Sequence, residues 1–320
     1  FAVLRQAGVA VGGMEVVVTG DVPLGAGLGS SAALETAVAM LILRFHPHSL
    51  DTLELAKLLQ RGENQFTGVR CGLLDQFSVL HGREDRVIFL HCGTDAHETL
   101  ILGRSVPAII ICNSGVSRAL GQDAPYNLRR AECEQAAMLL GRLLGRPVRR
   151  LCEISSAELA TVTSGSHPAC GTGFPAGRNN QLEGLSYGNA KRRAEPALLP
   201  EVLLSRARHV IEEHERVLAA RDLLRRGMAH RLGPLLAQSH ESSRALFENS
   251  CVALDRLCTA AAHQPGCLGT RLCGAGWGGC TVTLVAPDAV DAFLKGMSAV
   301  AGASRIEVCY ASDGARGWHL

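Results

Sequence analysis

The chain has 320 residues, of which 47% are apolar and 4% aromatic, and its formal net charge is +2. That length predicts two domains sharing a cleft, with apolar residues enough for a large core. So few aromatic rings and so small a charge argue against a nucleic-acid partner, and no apolar run is long enough to span a membrane.

The twelve cysteines sit in apolar segments, among them Cys112, Cys133, Cys258 and Cys280, and form no C-x-x-C pair. The expectation is buried, reduced thiols in a cytoplasmic protein rather than disulfides or a metal site.

In chain order, residues 1–8 read as the end of a helix. Residues 14–19 are β-branched enough for a strand. Leu34, Val38, Leu41 and Ile42 then recur at helical spacing, predicting a helix over 31–44. The most informative stretch lies between strand and helix: Gly20-Asp21-Val22-Pro23-Leu24-Gly25-Ala26-Gly27-Leu28-Gly29-Ser30-Ser31-Ala32-Ala33. Glycines at 25, 27 and 29 permit backbone dihedrals closed to other residues and leave no Cβ to hold an anion away. Ser30 or Ser31 would cap a helix whose first N–H groups lack partners and whose dipole favours negative charge.

A tight turn is the bland alternative. A Rossmann turn reads G-x-G-x-x-G, and here the third glycine comes one residue early. A Walker A loop needs a lysine directly before its Ser/Thr, and the first lysine in the chain is Lys57. What remains is a turn holding phosphate through backbone amides, serine hydroxyls and a metal ion.

Asp51 is a plausible cap for a helix over 52–65, with Leu53, Leu55, Ala56 and Leu59 on its apolar side. Residues 86–91, 98–102 and 107–112 read as strands, the last an apolar run typical of a buried strand. Helices follow over 125–144, 203–226, 229–249 and 252–262, with breaks near Gly227 and Ser250. The arginine cluster at 142–150 reads as a solvated turn. Gly, Pro, Ser and Asn crowd residues 164–189, which suggests a surface insertion of low order. The chain closes on strands at 270–273, 280–285 and 306–310 around a helix over 289–300. Mixed strands and helices predict an α+β protein with a first domain over 1–118 and a second over 119–320.

The glycine-rich stretch, as P-x-G-x-G-L-G-S-S-A-A, resembles the second motif of the GHMP small-molecule kinases. Later motifs resemble the galactokinases within that family. Arg61 to Phe77 matches E-x-x-F-x-G-x-x-C-G-x-x-D-Q-F position by position, and Asn113-Ser114-Gly115-Val116 with Tyr126 to Glu134 is similar to N-S-x-V…Y-x-x-R-R-x-x-C-E. Arg271-Leu272-Cys273-Gly274-Ala275-Gly276-Trp277-Gly278-Gly279-Cys280 is similar to the third motif, with Trp277 where phenylalanine is usual. The terminal Asp313-Gly314-Ala315-Arg316 is galactokinase-like too.

The resemblance implies the two-domain GHMP kinase fold: a ribosomal protein S5 domain 2-like N-terminal domain, here incomplete, and a ferredoxin-like C-terminal domain. It implies transfer of the ATP γ-phosphate to the anomeric hydroxyl of galactose. Gly25, Gly27, Leu28, Gly29, Ser30 and Ser31 would bind ATP, and Ser31 with Glu63 would hold Mg2+. Asp75 would orient or deprotonate the sugar hydroxyl, Gly72 and Tyr126 would contact the sugar, and Gly274, Gly276, Gly278 and Gly279 would support the phosphate turn. Alone, Glu63 or Asp75 would read as a solvated or helix-capping acid, and Tyr126 as a helix-start tyrosine packed on the core. In its apolar run, Asp75 is expected to need a partner.

Arg129 and Arg130 read as structural ion-pair partners, and His209 and His240 as satisfied helix residues. The family's opening motifs, an arginine near the transferred phosphate and a G-E-H-x-D-Y run, do not occur. Glu213-His214-Glu215 echoes the latter only superficially. The chain is therefore expected to lack roughly the first hundred residues of a family-like two-domain length. A kinase for arabinose or N-acetylgalactosamine is the alternative within the class, and a non-catalytic sugar and ATP sensor the alternative outside it. The expected partner is a small-molecule sugar, and the expected state a monomer or at most a weak dimer.

Overall fold

A computed structural model of the chain describes residues 1–45, 50–102, 106–117, 125–164, 199–300 and 305–317. The N-terminal part is a helical layer: α1 (Ala2–Gln6), α2 (Ser30–Arg44), α3 (Thr52–Thr67) and α4 (Leu74–His81). They bury Leu4, Val9, Ala39, Ile42, Leu55, Ala56, Leu58, Leu59 and Leu80 in one core. Asp51 caps α3 as expected, its carboxylate accepting from the backbone N–H groups of Leu53 and Glu54. The short helix α4 was not expected, because eight residues carry too little periodicity to stand out.

Residues 14–19 form no strand. Val17 is 95% exposed and Val18 58%, and none of the described strands pairs with the segment. β-propensity reflects fit to a pleated, half-buried surface, and here there is no such surface to fit.

β1 (Arg86–His91) and β2 (Ala96–Ile101) pair as an antiparallel hairpin, Arg86 opposite Ile101. β3 (Ala108–Asn113) is interior to a separate antiparallel sheet with β4 (Cys267–Leu272), β5 (Cys280–Val285) and β6 (Arg305–Cys309), in the order β4-β5-β3-β6. Buried on both flanks, β3 bears out its apolar composition. Helices α9 (Val252–Ala262) and α10 (Val290–Ser298) pack on this sheet through Leu257, Ala261, Phe293 and Met297. The boundary expected near 118 falls outside the described residues. The sheet draws strands from both sides of it.

A second helical core joins α5 (Pro125–Leu143), α6 (Ser156–Thr163) and α7 (Glu201–Arg225) through Ala136, Leu140, Leu159, Leu203, Ala207 and Ile211. Ser155 and Glu158 form a capping box on α6. The helix expected over 229–249 is three pieces: a 3-10 turn (Ala229–Arg231), α8 (Gly233–Ser242) and a π turn (Ser243–Phe247). The break falls where Gly233 meets the β4 backbone at Leu268 too closely for any Cβ. Residues 165–189 of the expected insertion lie outside the described residues.

The C-terminal strand leads back to the first layer. Gly314 donates to the Gly82 carbonyl at 2.9 Å and Ala315 to the Val79 carbonyl at 2.7 Å, so the tail clasps the C-terminal end of α4. No described cysteine forms a disulfide, and Cys112, Cys258 and Cys280 are buried as expected, while Cys133 is half-buried. Among the described residues no helix is long and apolar enough to cross a membrane.

Candidate active site

The glycine-rich turn has the backbone that its composition demands. Gly25, Gly27 and Gly29 take φ of 68°, 74° and 70°, the left-handed region where a side chain is strained. Gly29 itself is the N-cap of α2, and neither Ser30 nor Ser31 caps the helix with its side chain. The serines are the first two helical residues, which leaves their hydroxyls available for other partners and the helix N–H groups directed at the turn.

Ser31 uses that freedom. Its Oγ donates to Oε1 of Glu63 at 2.7 Å, joining the starts of the turn helix and the last turn of α3. The other oxygen of Glu63 accepts from Gln76 Nε2 at 2.6 Å and from Cys71 Sγ at 3.2 Å. Burial, with the Glu63 charge beside it, pushes Glu35 up to about 7, and burial with the same charge pushes the Cys71 thiol up to about 12. An apolar cavity of about 260 Å³ opens beside these carboxylates, walled by Val3, Leu34, Val38, Leu59 and Phe66.

A hydroxyl and a carboxylate at this distance, beside a helix N-terminus, suit Mg2+, which takes few protein oxygens and completes its shell with phosphate and water. Among the described residues no three His, Cys, Asp or Glu side chains converge as a ready-made cage.

Asp75 sits in the first turn of α4 and faces the turn: a Cβ built on Gly29 would lie 3.6 Å from Asp75 Cβ and Cγ. Its residue is exposed. α4 turns the apolar neighbours Phe77 and Leu80 inward and leaves Asp75 on the open face. The carboxylate is thus carried at the N-terminal end of a helix, where the dipole favours its charge.

Tyr126, at the start of α5, reaches the same loop. Burial pushes its phenol up; the Arg130 charge and a backbone hydrogen bond with Gly72 oppose that rise, while Cys71 and Asp75 add to it. Gly72, Asp75 and Tyr126 are therefore neighbours. α5 holds the 68–72 loop from its own side: Arg70 N donates to Asn127 Oδ1 at 3.0 Å, Asn127 Nδ2 to the Gly68 carbonyl at 2.9 Å, and Arg130 to the Arg70 carbonyl at 2.5 Å. Arg70 and Arg130 both pair with Glu134. The arginines of this segment are structural, as expected.

The second glycine-rich turn closes on the first. A Cβ on Gly279 (φ 83°) would overlap the Ala26 carbonyl oxygen, and Cys273 Sγ lies 3.7 Å from the Gly27 carbonyl. Gly279 is pinned to the end of β3: its N–H donates to Val116 O at 2.8 Å and its carbonyl accepts from Ser114 Oγ at 2.6 Å. From the other side, the Asn249 carbonyl accepts from Trp277 N–H at 2.6 Å and Asn249 Nδ2 donates to Ala275 O at 3.0 Å. Gly276 fits only because it lacks a Cβ that would strike Asn249. Gly274 and Gly278 complete the turn with φ of 68° and 142°.

Asn249 follows Glu248, which takes φ 54° after the π turn. A ring of charges fixes this corner: the buried Arg206 pairs with Glu132 at 2.9 Å and Glu248 at 2.6 Å, and Arg129 pairs with the same two acids at 2.9 and 3.2 Å. The helix histidines are satisfied inside. His209 bonds Ser242 Oγ at 2.9 Å and stacks on Phe247, and His240 Nδ1 accepts from Leu272 N–H at 3.3 Å. Burial pulls His209 down to about 4. Ser242 and His209 are enclosed between α7 and α8, so their pairing offers no hydrolase site. Glu213, in the superficial motif echo, is bound to Ser239, Arg216 and Arg271.

Sequence reasoning missed Glu35, Gln76 and Asn249. Glu35 stands one helical turn after Ser31 on the same face, a spacing that would have pointed to it. Gln76 was passed over as the neighbour of Asp75, and Asn249 as part of a continuous helix.

The chain matches the family model for the GHMP kinases N terminal domain over residues 1–83 and that for the GHMP kinases C terminal over 220–301. It is 36% identical over 292 residues to the galactokinase of Clostridium tetani, covering 91% of this chain and 66% of that protein. It is also 36% identical over 316 residues to the galactokinase of Roseiflexus sp., covering 97% and 72%. The chain thus spans about two thirds of the length of these relatives. Among solved structures, the Lactococcus lactis galactokinase complexed with galactose superposes with a TM-score of 0.74 at 28% identity, over 98% of this chain and 73% of that one. The chain belongs to the galactokinase family of the GHMP kinases.

Proposed function

We propose that the protein is a galactokinase-like sugar 1-kinase, moving the ATP γ-phosphate to the anomeric hydroxyl of galactose. The observation that carries this reading is the meeting of three elements at one place. The positive-φ turn ends on α2, Ser31 is bonded to Glu63 at 2.7 Å, and the Asp75 carboxylate lies against Gly29.

Phosphoryl transfer asks a protein for placement and charge stabilisation more than for covalent chemistry. Backbone amides of Gly27 to Ser31 would stabilise the transferring charge from a fixed geometry. Ser31 and Glu63 would hold Mg2+, which when bound neutralises phosphate charge. Asp75 would orient the sugar hydroxyl and accept its proton. Gly72 and Tyr126 would line the sugar side of Asp75, and Gly274 to Gly279 would keep the phosphate turn in place. A cytoplasmic setting fits the described cysteines, none of which forms a disulfide.

The test is ADP release by the full-length protein with Mg2+ and ATP. Galactose is compared with arabinose, N-acetylgalactosamine, mevalonate and homoserine. Galactose-dependent release supports the reading. Release with another sugar alone moves the substrate, and ATP binding without release on any substrate replaces the kinase with a sensor.

A further inference from the structure

We propose that Gln76 is a positioning residue for the magnesium pair, holding the Glu63 carboxylate so that one oxygen is presented to Ser31 and the bound cation. The inference rests on the reading of Ser31 and Glu63 given above. Gln76 is fully buried on the inner face of α4, next in sequence to Asp75. Its Nε2 donates to Glu63 Oε2 at 2.6 Å, while the opposite oxygen, Oε1, accepts from Ser31 at 2.7 Å. The two oxygens of one carboxylate are thus divided between an interior partner and the face of the turn.

The same amide also holds down the rise that burial imposes on Glu35, so it stands near two carboxylates on adjacent helices. Its own oxygen has no partner and is buried. A half-satisfied buried amide carries a desolvation cost that an apolar side chain of the same shape would not. The amide's one strong return is the short bond to Glu63. Cys71 Sγ, also directed at Oε2, is a weak donor at 3.2 Å and cannot fix the carboxylate alone. Groups that orient metal ligands in this way change metal affinity by about 10–100-fold when removed.

Gln76 also ties Glu63 to Asp75 mechanically. One turn of α4 carries both the amide that aligns the metal ligand and the carboxylate that faces the sugar. The C-terminal clasp at Gly82 and Val79 holds that helix at its other end.

The test measures ATP affinity by calorimetry with and without Mg2+, in full-length wild type, Gln76→Met and Gln76→Leu, alongside melting temperature. Wild type is expected to bind ATP more tightly with Mg2+. Gln76→Met, which keeps the volume and removes the donor, is expected to lose about tenfold of that enhancement while its Mg2+-free ATP affinity stays at the wild-type value. Gln76→Leu also removes the donor with an apolar side chain, and the same loss is expected of it if the methionine variant does not fold. A lowered melting temperature with the full Mg2+ enhancement intact in either folded variant overturns the role of Gln76 and leaves the magnesium pair standing. A wild type whose ATP affinity ignores Mg2+ overturns the magnesium pair and Gln76's role with it.

Discussion

Gly279 lies so close to Ala26 that a Cβ on it would collide with the Ala26 carbonyl oxygen. The contact joins the two glycine-rich turns, which are far apart in sequence, across the cleft between the helical layer and the four-stranded sheet. Its consequence is that the first glycine-rich turn is not shaped by its own glycines alone.

Gly279→Ala should therefore do double damage. It places a side chain at φ 83°, at a cost of roughly 1–2 kcal/mol, and pushes Ala26 and the turn away. We expect a melting temperature lowered by several degrees and a raised KM for ATP, read by thermal denaturation and ADP release. An unchanged KM would show that the contact does not shape the turn.

Asn249→Ala removes the Ala275 bond and keeps the backbone bond to Trp277. The expected loss is about 1 kcal/mol, with a larger effect on ATP affinity than on the midpoint of unfolding, because the released loop packs against the turn proposed to hold phosphate. Calorimetry with ATP and urea unfolding separate the two.

Arg206→Ala leaves Glu132 and Glu248 facing each other's charge with Arg129 as their remaining partner. Breaking the buried Arg206–Glu132 pair costs at most about 3–5 kcal/mol, to which the exposed Glu248 adds little. Urea denaturation should show this loss. Arg206→Met, removing the charge but filling the space, is expected to lose much the same, because both acids stay.

His209 sets a pH dependence of stability. Burial favours its neutral form, so its folded value of about 4 lies below the ordinary 6.5. The unfolded chain then takes up a proton that the folded one refuses, and stability falls as pH drops from about 6.5 towards about 4. His209→Gln can keep a bond to Ser242 and has no proton to refuse. The advantage of wild type over this variant should shrink across that window, by up to about 3 kcal/mol, as read from melting temperature against pH. A constant difference would contradict it.

Much of the architecture was legible because local signals and tertiary structure agree. The Asp51 cap, the periodicity of α2 and α3 and the apolar run of β3 each satisfy a physical need that the surrounding residues also serve. Residues 14–19 were misread because a β-branched run specifies a strand only where a partner strand exists. The serine cap was misplaced because Gly29, at φ 70°, makes the turn into α2 itself. The site residues Ser31, Glu63 and Asp75 came from the resemblance to the kinase motifs, and their meeting could not: it depends on α3 and α4 packing against α2. Gln76, Glu35 and Asn249 act through burial and through contacts between distant segments, which no spacing records.

The most direct measurement compares full-length wild type with Asp75→Asn, following galactose-dependent ADP release and, separately, ATP binding. The amide keeps the size of the carboxylate and loses its capacity to take a proton. Turnover should fall by at least about 100-fold with ATP affinity close to wild type. Wild-type turnover in Asp75→Asn would contradict the assignment of Asp75 as the group that acts on the sugar hydroxyl.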